Sequence, residues 1–182
     1  MTSTVGVVAS GAGGVELLRP RLVDPLLSAG RQVAVTLTPT AAHWLDAVGE
    51  VDKLAAATGL PVRSEPRLPG EPRPHPRVDV YVVAPATANT VAKLALGIAD
   101  NQALTLLCES FGTTPMIVFP RINAAHARNP GWHRHLDALS SAGVHLVYGD
   151  DVWPLYEPRE AAPDRDLPWP EVLKAVDSLL PA

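Results

Sequence analysis

The sequence predicts an α/β protein of three layers, in which helices cover both faces of a parallel β-sheet. Short β-branched runs alternate with segments of helical periodicity, and no hairpin signal joins two strands directly. The first run, residues 5–9, is followed at once by serine and glycine, as expected of a buried parallel strand that leaves the sheet. The length of 182 residues suits one domain of ordinary size. We therefore predict a single domain over residues 1–182.

The same periodicity places the individual elements. The strands are predicted at residues 5–9, 32–37, 78–84, 116–119 and 144–148. The helices are predicted at residues 15–29, 41–48, 51–58, 91–96, 101–108, 132–142 and 171–180. Pro20 and Pro25 predict a break in the first helix, because proline removes a helical hydrogen bond. Asp100 is predicted to cap the helix that begins at residue 101.

Proline is the one unusual count in the composition. The chain has 19 prolines, about twice the usual proportion. Six of them lie between Pro61 and Pro76, and five lie between Pro154 and Pro170. Proline disfavours helix at its own position and at the preceding residue. We therefore predict two extended segments, the first proline loop at residues 61–77 and the second proline loop at residues 150–170.

Composition also excludes several classes of partner. The net charge is −4, and the 15 lysines and arginines form no basic stripe with interleaved aromatic residues, which argues against nucleic-acid binding. No run approaches the roughly 18 apolar residues of a membrane span. The first residues lack the basic and apolar regions of a secretion signal. We expect a cytoplasmic protein with a small-molecule or protein partner.

Several residues with chemical potential are predicted to be structural instead. Cys108 is the only cysteine, which excludes an internal disulfide framework, and its apolar neighbours predict a buried core residue. No metal site is predicted, because three nearby histidines lack the spacing of metal ligands; these are His126, His133 and His135. Three tryptophans are predicted to pack in the core or at an interface; these are Trp132, Trp153 and Trp169.

The predicted ligand site lies in loops at one edge of the sheet, because ligands of parallel α/β sheets bind outside the carboxyl ends of the strands. This rule selects the loops at residues 10–14, 38–40, 85–90 and 120–123. Ser10 and Gly11 open the first loop, whose small residues and free amides suit a phosphate. Thr38 and Thr40 add hydroxyl donors, or one of them caps the following helix. Several hydroxyls without a basic cluster indicate one phosphate bound mainly by neutral donors.

The loop after the third strand carries the most specific motif. Residues 85–90 read Pro-Ala-Thr-Ala-Asn-Thr, and Gly-Ile-Ala-Asp-Asn follows at residues 97–101. Both runs resemble those of the flavin-binding cysteine decarboxylase superfamily. That superfamily includes phosphopantothenoylcysteine decarboxylase, the peptidyl-cysteine decarboxylases and, more distantly, flavin prenyltransferase. The likeness extends from residue 5 to about residue 148.

The resemblance implies a Rossmann-like or flavodoxin-like fold, FMN as cofactor, and a homo-oligomer built on trimers. The cofactor-binding positions that it implies are Ser10, Gly11, Thr38, Thr40, Pro85, Ala86, Thr87, Asn89 and Thr90. The implied reaction is decarboxylation of a small carboxylate, either cysteine-derived or a peptidyl cysteine, with transfer of two electrons to the flavin.

The catalytic half of the family pattern is altered in this chain. The family's histidine would fall near Glu71, and the local histidine is instead His75, which becomes the candidate base. The segment that clamps the substrate keeps a proline and Asn123, whereas its methionines and tryptophan are replaced. Asn123, through its amide, and Arg121, through a bidentate ion pair, are the candidate ligands of a substrate carboxylate.

Two other functions remain open at this point. A non-catalytic flavin-binding or regulatory subunit would need the cofactor pocket but no base, which suits the altered catalytic half. A prenyltransferase would need several basic residues beside the flavin, and Arg121 is the one candidate. The leading hypothesis is a flavin-dependent decarboxylase or oxidoreductase.

Overall fold

A five-stranded parallel sheet forms the centre of the computed structural model, which describes residues 2–160 and 166–180. The strands are β1 (Thr4–Ala9), β2 (Gln32–Leu37), β3 (Val80–Ala86), β4 (Met116–Pro120) and β5 (His145–Leu146). They lie in the order β2-β1-β3-β4-β5, and each neighbouring pair is parallel. β2 lies on one side of β1, and β3, β4 and β5 follow on the other side. The order of the strands therefore reverses between β1 and β3, which is the switch point of flavodoxin-like sheets. The predicted α/β class with a parallel sheet is confirmed.

Helices pack on both faces of this sheet. They are α1 (Asp24–Ser28), α2 (Pro39–Asp46), α3 (Glu50–Thr58), α4 (Ala88–Leu96), α5 (Gln102–Ser110), α6 (Ala124–Ala127), α7 (Trp132–Ser141) and α8 (Trp169–Leu179). One buried cluster joins the sheet to the chain segment after β1 and to α2, α3 and α8. A second cluster joins the opposite face to α4, α5 and α7. Trp132, Trp153 and Trp169 are all buried, as predicted for packing residues.

The segment after β1 is helical but broken, as its prolines predict. A short 3₁₀ turn at Val15–Leu17 is followed by a π-helical stretch at Arg19–Val23 and then by α1. Pro20 and Pro25 each lie in the first turn of one of these pieces, where their missing N–H groups cost nothing. The described residues contain no helix with the length and apolar character needed to cross a bilayer.

Several predicted boundaries were wrong for identifiable reasons. β3 begins at Val80, two residues later than predicted. The preceding Asp79 forms two hydrogen bonds with Thr4 instead: its amide donates to the Thr4 carbonyl, and its carboxylate accepts from the Thr4 amide. β3 also continues through Pro85 to Ala86, although proline usually ends a strand. β5 spans two residues where five were predicted.

Two single-residue predictions are also corrected. The cap of α5 is Asn101, whose Oδ1 accepts from the Leu104 amide at 3.0 Å. Asp100, which was predicted to be that cap, pairs with Lys93 instead. Cys108 packs against the second cluster but is only partly buried, and its partial burial raises the pKa of the thiol.

Candidate functional site

Main-chain hydrogen bonds hold the exit loops of the first four strands together at the carboxyl edge. The amide of Ser10 donates to the carbonyl of Pro85 at 2.9 Å, which joins the loops after β1 and β3. The amide of Thr38 donates to Ala9 at 3.0 Å. The amide of Arg121 donates to Ala86 at 2.8 Å and brings in the loop after β4. The four loops predicted from the sequence therefore lie at one edge, as expected.

Three hydroxyls form a connected cluster between the first and third loops. Ser10 Oγ donates to Thr90 Oγ1 at 2.9 Å, and Thr90 Oγ1 lies 3.1 Å from Thr87 Oγ1. Ser10 and Thr90 are buried, whereas Thr87 is partly exposed. This contact spans 80 residues of sequence and links the glycine-rich turn to the most specific motif of the chain. The cluster is a fixed set of neutral polar groups at the switch point of the sheet.

The motif at residues 85–90 ends β3 and starts α4. The peptide bond between Ala84 and Pro85 is cis, and the pairing of β3 with β4 shifts register between Val83 and Ala86. Thr87 is the N-cap of α4, and its hydroxyl accepts from the Thr90 amide at 3.2 Å. The amides of Ala88 and Asn89 have no acceptor within residues 2–160 and 166–180. They are donors available to an anion at the positive end of the helix.

The loop after β2 is packed closely against the loop after β1. Thr38 occupies the N-cap position of α2, but its side chain makes no capping hydrogen bond. Thr40 lies in the first turn, and a Cβ at Gly11 would come within 2.5 Å of Thr40 Cγ2. Position 11 therefore requires glycine for the two loops to meet.

The turn at residues 10–14 offers fewer free amides than its sequence predicted. The amides of Ser10 and Ala12 donate to main-chain carbonyls, and the amide of Gly14 donates to the Glu16 carboxylate at 2.9 Å. Within the part of the chain that the structure describes, Gly11 and Gly13 keep unused amides. The turn leads into a 3₁₀ turn and has no full helix behind it, so the dipole of α4 is the stronger anion-binding feature of this edge.

Arg121 brings a positive charge to the same edge. Its Nη1 donates to the Tyr156 hydroxyl at 2.7 Å, and its guanidinium carbon lies 5.0 Å from the Trp153 ring centroid and 5.5 Å from that of Tyr156. A Cβ at Gly13 would be 3.9 Å from Nη2, so the guanidinium adjoins the turn after β1. Its Nε is buried and has no hydrogen-bond partner among the described residues. No carboxylate of these residues forms an ion pair with Arg121. Cation–π contacts of this kind hold a guanidinium in a fixed orientation.

The second proline loop forms the wall behind Arg121. Its Trp153 is buried and packs edge-to-face on Phe119, with ring centroids 5.9 Å apart. The Tyr156 carbonyl accepts from the Ala124 amide at 2.9 Å, which fixes the loop to the start of α6. Sequence reasoning missed Tyr156, because its contact with Arg121 spans 35 residues through an irregular loop. The one available signal was an aromatic residue in a proline-rich and charged segment.

Asn123 lies two residues beyond Arg121 and also has a structural role. It is the N-cap of α6, and its Oδ1 accepts from the His126 amide at 3.1 Å. The carbonyl half of its side chain is therefore used within the protein. The side-chain NH₂ group remains available to a ligand, and it is the group that can donate a hydrogen bond to a carboxylate.

His75 lies elsewhere in the molecule. It stands in the first proline loop before β3, half-buried, with Nε2 2.7 Å from the Pro61 carbonyl. It lines a groove on the face of the sheet, together with Arg63 and Tyr81. Burial, with a contribution from the charge of Arg63, lowers the pKa of His75. The structure therefore brings together the predicted residues of the carboxyl edge but leaves His75 apart from them.

Comparison with known proteins decides the family. The sequence model of the family described as Flavoprotein matches residues 2–180, which is nearly the whole chain. The chain belongs to the Flavoprotein family. The resemblance to flavin-binding cysteine decarboxylases that residues 85–90 predicted is thereby confirmed.

Relatives in Arabidopsis thaliana are described as phosphopantothenoylcysteine decarboxylases. One is 30% identical over 120 residues, which cover 64% of this chain and 57% of that protein. A second, described as probable, is 30% identical over 151 residues, which cover 71% of this chain and 74% of that protein. The chain thus spans little more than half of the first relative.

Solved structures show the same fold. The FMN-dependent cysteine decarboxylase TvaF from thioviridamide biosynthesis is 30% identical, with a TM-score of 0.66, over 80% of this chain and 90% of that one. A PPC decarboxylase mutant complexed with pantothenoylaminoethenethiol has a TM-score of 0.70 at 23% identity, over 97% of both chains. At that lower identity the likeness supports the fold alone.

Proposed function

We propose that this chain binds FMN at the carboxyl edge of its sheet and acts as a flavin-dependent decarboxylase or oxidoreductase on a small carboxylate. Cysteine-derived acids and peptides that end in cysteine are the substrate class that the family suggests. The observation that carries the proposal is the convergence of the motif at residues 85–90 with the guanidinium of Arg121 at one edge.

The groups at this edge fit a flavin phosphate. The hydroxyl cluster of Ser10, Thr87 and Thr90 has one hydrogen left to donate, the first amides of α4 are further neutral donors, and Arg121 adds one cation. A phosphate dianion needs several donors in a small volume, and such donors are most effective at a helix N-terminus. Thr38 and Thr40 supply further hydroxyl groups from the neighbouring loop.

The remaining polar groups fit a substrate carboxylate. A guanidinium can bind a carboxylate in a bidentate pair, and the stacking of Arg121 on Trp153 and Tyr156 fixes the plane in which that pair forms. The side-chain amide of Asn123 can donate a further hydrogen bond. Bound FMN would supply the two-electron acceptor, and the aromatic wall would exclude water from the charged pair.

The position of His75 favours a second candidate function. The predicted base lies in the groove on the sheet face, whereas the carboxylate-binding groups lie at the carboxyl edge. A flavin-binding chain that does not decarboxylate would need no base at the edge. The two candidates share the cofactor site and differ only in whether a thiol-bearing carboxylate reduces the flavin.

The cofactor is tested first. We expect purified protein to show the yellow absorbance of a flavin or to take up added FMN. Asn89→Ala should weaken FMN binding, because it removes a polar group from the first turn of α4. Asn129→Ala is the matched control, since Asn129 is an exposed asparagine in the turn before α7. Colourless protein that rejects FMN, or equal affinities in both variants, would contradict the proposal.

The reaction is tested on the FMN-loaded protein without oxygen. Phosphopantothenoylcysteine and peptides ending in cysteine are added in turn, and flavin absorbance and product mass are followed. Bleaching of the flavin together with loss of one carbon dioxide and two hydrogens from the substrate supports decarboxylation. A flavin that stays oxidised while every thiol carboxylate keeps its mass supports the non-catalytic candidate.

We also propose a homotrimer, as the resemblance implies. Light scattering coupled to size-exclusion chromatography should give three times the chain mass of 19.3 kDa. A mass equal to one or two chains would contradict the trimer and leave the cofactor proposal to its own test.

A further inference from the structure

A large groove lies on the face of the sheet, and its lining includes none of the loop residues at the carboxyl edge. It has a volume of about 940 Å³ and lies between β1, β2 and α5, with the first proline loop along its rim. Its floor consists of small side chains from the two strands, namely Gly6, Val8, Ala34 and Thr36. Ligand pockets usually measure about 300–1,000 Å³, so this groove can hold a molecule of nucleotide size.

The rim of the groove concentrates positive charge. Four arginines line it, namely Arg63, Arg67, Arg73 and Arg77, and the one acidic residue among the lining residues is Glu109. Glu65 and Glu71 line a second, adjoining depression, which shares Arg63 and Arg67 with the groove. This concentration is unexpected in a chain of net charge −4.

These arginines differ from other basic residues in their partners. Arg19, Arg31 and Arg128 each form an ion pair with a carboxylate. Arg63 and Arg67 instead donate to the main-chain carbonyls of Glu65 and Glu71. Within residues 2–160 and 166–180, Arg73 and Arg77 have neither an ion pair nor a hydrogen bond. Four arginines thus line one groove, and none of them forms an ion pair with a carboxylate of the described residues.

We propose that this groove binds a phosphorylated small molecule at a site separate from the flavin edge. The forked guanidinium matches phosphate oxygens in bidentate geometry, and several arginines together can neutralise a diphosphate. The site needs no flavin, so it stands or falls independently of the function proposed above.

His75 provides a reporter inside the same groove. Its Nε2 contacts the Pro61 carbonyl, and the charge of nearby Arg63 contributes to the lowered pKa of its ring. An anion among the arginines would offset that charge and would favour the imidazolium form. Binding in the groove should therefore raise the pKa of His75, which proton NMR of the histidine ring can follow.

The proposal is tested by calorimetric titration of the FMN-loaded and FMN-free protein with ADP, inorganic pyrophosphate and citrate. We expect ADP and pyrophosphate to bind once per chain in both forms. Arg73→Gln and Arg77→Gln should each weaken pyrophosphate binding about tenfold, as expected for loss of one charge-assisted contact. Arg134→Gln is the matched control, because Arg134 is an exposed arginine on α7 outside the groove. The circular dichroism spectra of all three variants should match the parent.

Each contrary result has a definite meaning. Absence of pyrophosphate and ADP binding at millimolar concentration would overturn the proposal. Equal weakening in Arg134→Gln would show a general charge effect, and loss of ADP binding in the FMN-loaded form would show that the groove belongs to the flavin site. Citrate binding as tight as pyrophosphate would exclude a phosphate-specific site. ADP binding without a change at His75 would place the ligand outside the groove.

Discussion

The two proline loops are both rich in proline but have different relations to the fold. Residues 161–165 of the second loop lie outside the described residues, and the rest of it is built into the molecule, since Trp153 and Leu167 are buried in the core and Tyr156 holds Arg121. The first loop is attached near its ends, where Arg63 forms a β-bridge with Thr36 of β2 and where Asp79, just after the loop, is hydrogen-bonded to Thr4. Its middle is exposed, and Leu68 is 67% accessible.

This difference teaches what proline-rich segments can do in an α/β protein. A segment whose side chains enter the core shapes the neighbouring site, as the second loop shapes the surroundings of Arg121. A segment whose side chains stay at the surface leaves its charges available, as the first loop does with its arginines. Proline content alone does not distinguish the two cases, because burial depends on where each loop meets the sheet.

The largest expected difference between the loops is in their contribution to stability. Leu167→Ala should lower the free energy of unfolding by about 2–5 kcal/mol, because it opens a cavity against the turn after β1. Leu68→Ala, the same change in the first loop, should alter it by less than about 0.5 kcal/mol. Denaturant unfolding at fixed protein concentration measures both. Equal losses would mean that the first loop is also part of the core.

A pair of glycines sharpens this comparison. Gly14 and Gly70 both have positive φ, at 97° and 91°, so alanine is strained at either position. A Cβ at Gly14 would also lie 2.5 Å from Leu167 Cδ1, whereas a Cβ at Gly70 would meet nothing within 4 Å. Gly14→Ala should therefore cost about 1–3 kcal/mol more than Gly70→Ala, by overpacking against the second loop. Adding Leu167→Ala to Gly14→Ala should reduce the extra cost, and a strictly additive pair would contradict the contact.

A smaller effect is expected from the hydroxyl that orients Arg121. Tyr156→Phe should raise the KM for a substrate carboxylate about threefold to tenfold, because it removes one hydrogen bond to the guanidinium. Tyr148→Phe is the matched control, since its hydroxyl accepts from the Trp132 indole instead. Steady-state kinetics with a substrate that reduces the flavin give both values. An unchanged KM in Tyr156→Phe would show that the hydroxyl does not position Arg121.

The smallest expected effect is a pH dependence from the first loop. Burial and the charge of Arg63 lower the pKa of His75 below its ordinary value of 6.5 in the folded protein. The unfolded chain therefore takes up the proton first, so folding stability should fall as the pH drops below about 6.5 towards the folded pKa. His75→Gln should flatten this part of the stability profile measured by denaturant unfolding. A profile that keeps its slope in the variant would assign the dependence to other groups.

Much of the fold could be predicted because it depends on local patterns. β2 has the bounds that its apolar run predicts, and the broken segment after β1 follows from Pro20 and Pro25. The end of β3 was harder, because Pro85 usually marks a strand terminus and here remains paired through its carbonyl. The cap of α5 depended on a choice between adjacent Asp100 and Asn101, which only side-chain geometry decides.

Part of the site could also be predicted from local sequence patterns and the order of the strands. Strand ends converge by topology, so Ser10, Thr87 and Arg121 could be placed at one edge from sequence order alone. The environment of Arg121 could not, because Tyr156 reaches it across an irregular loop. The position of His75 depended on the path of the first proline loop, which has no periodicity to fix it.

The hydroxyl cluster of Ser10, Thr87 and Thr90 has a consequence for the kind of ligand that can complete it. Three hydroxyls carry three hydrogens, and two hydroxyl-to-hydroxyl bonds use two of them. Whichever way the bond between the two threonines points, one hydrogen is left to be donated outside the cluster. Thr87 is the member that reaches the surface. The hydrogen bonds among the three hydroxyls can therefore run in a defined order. A ligand that accepts a hydrogen bond from Thr87, such as a phosphate or carbonyl oxygen, fixes that order so that Thr90 donates to Thr87.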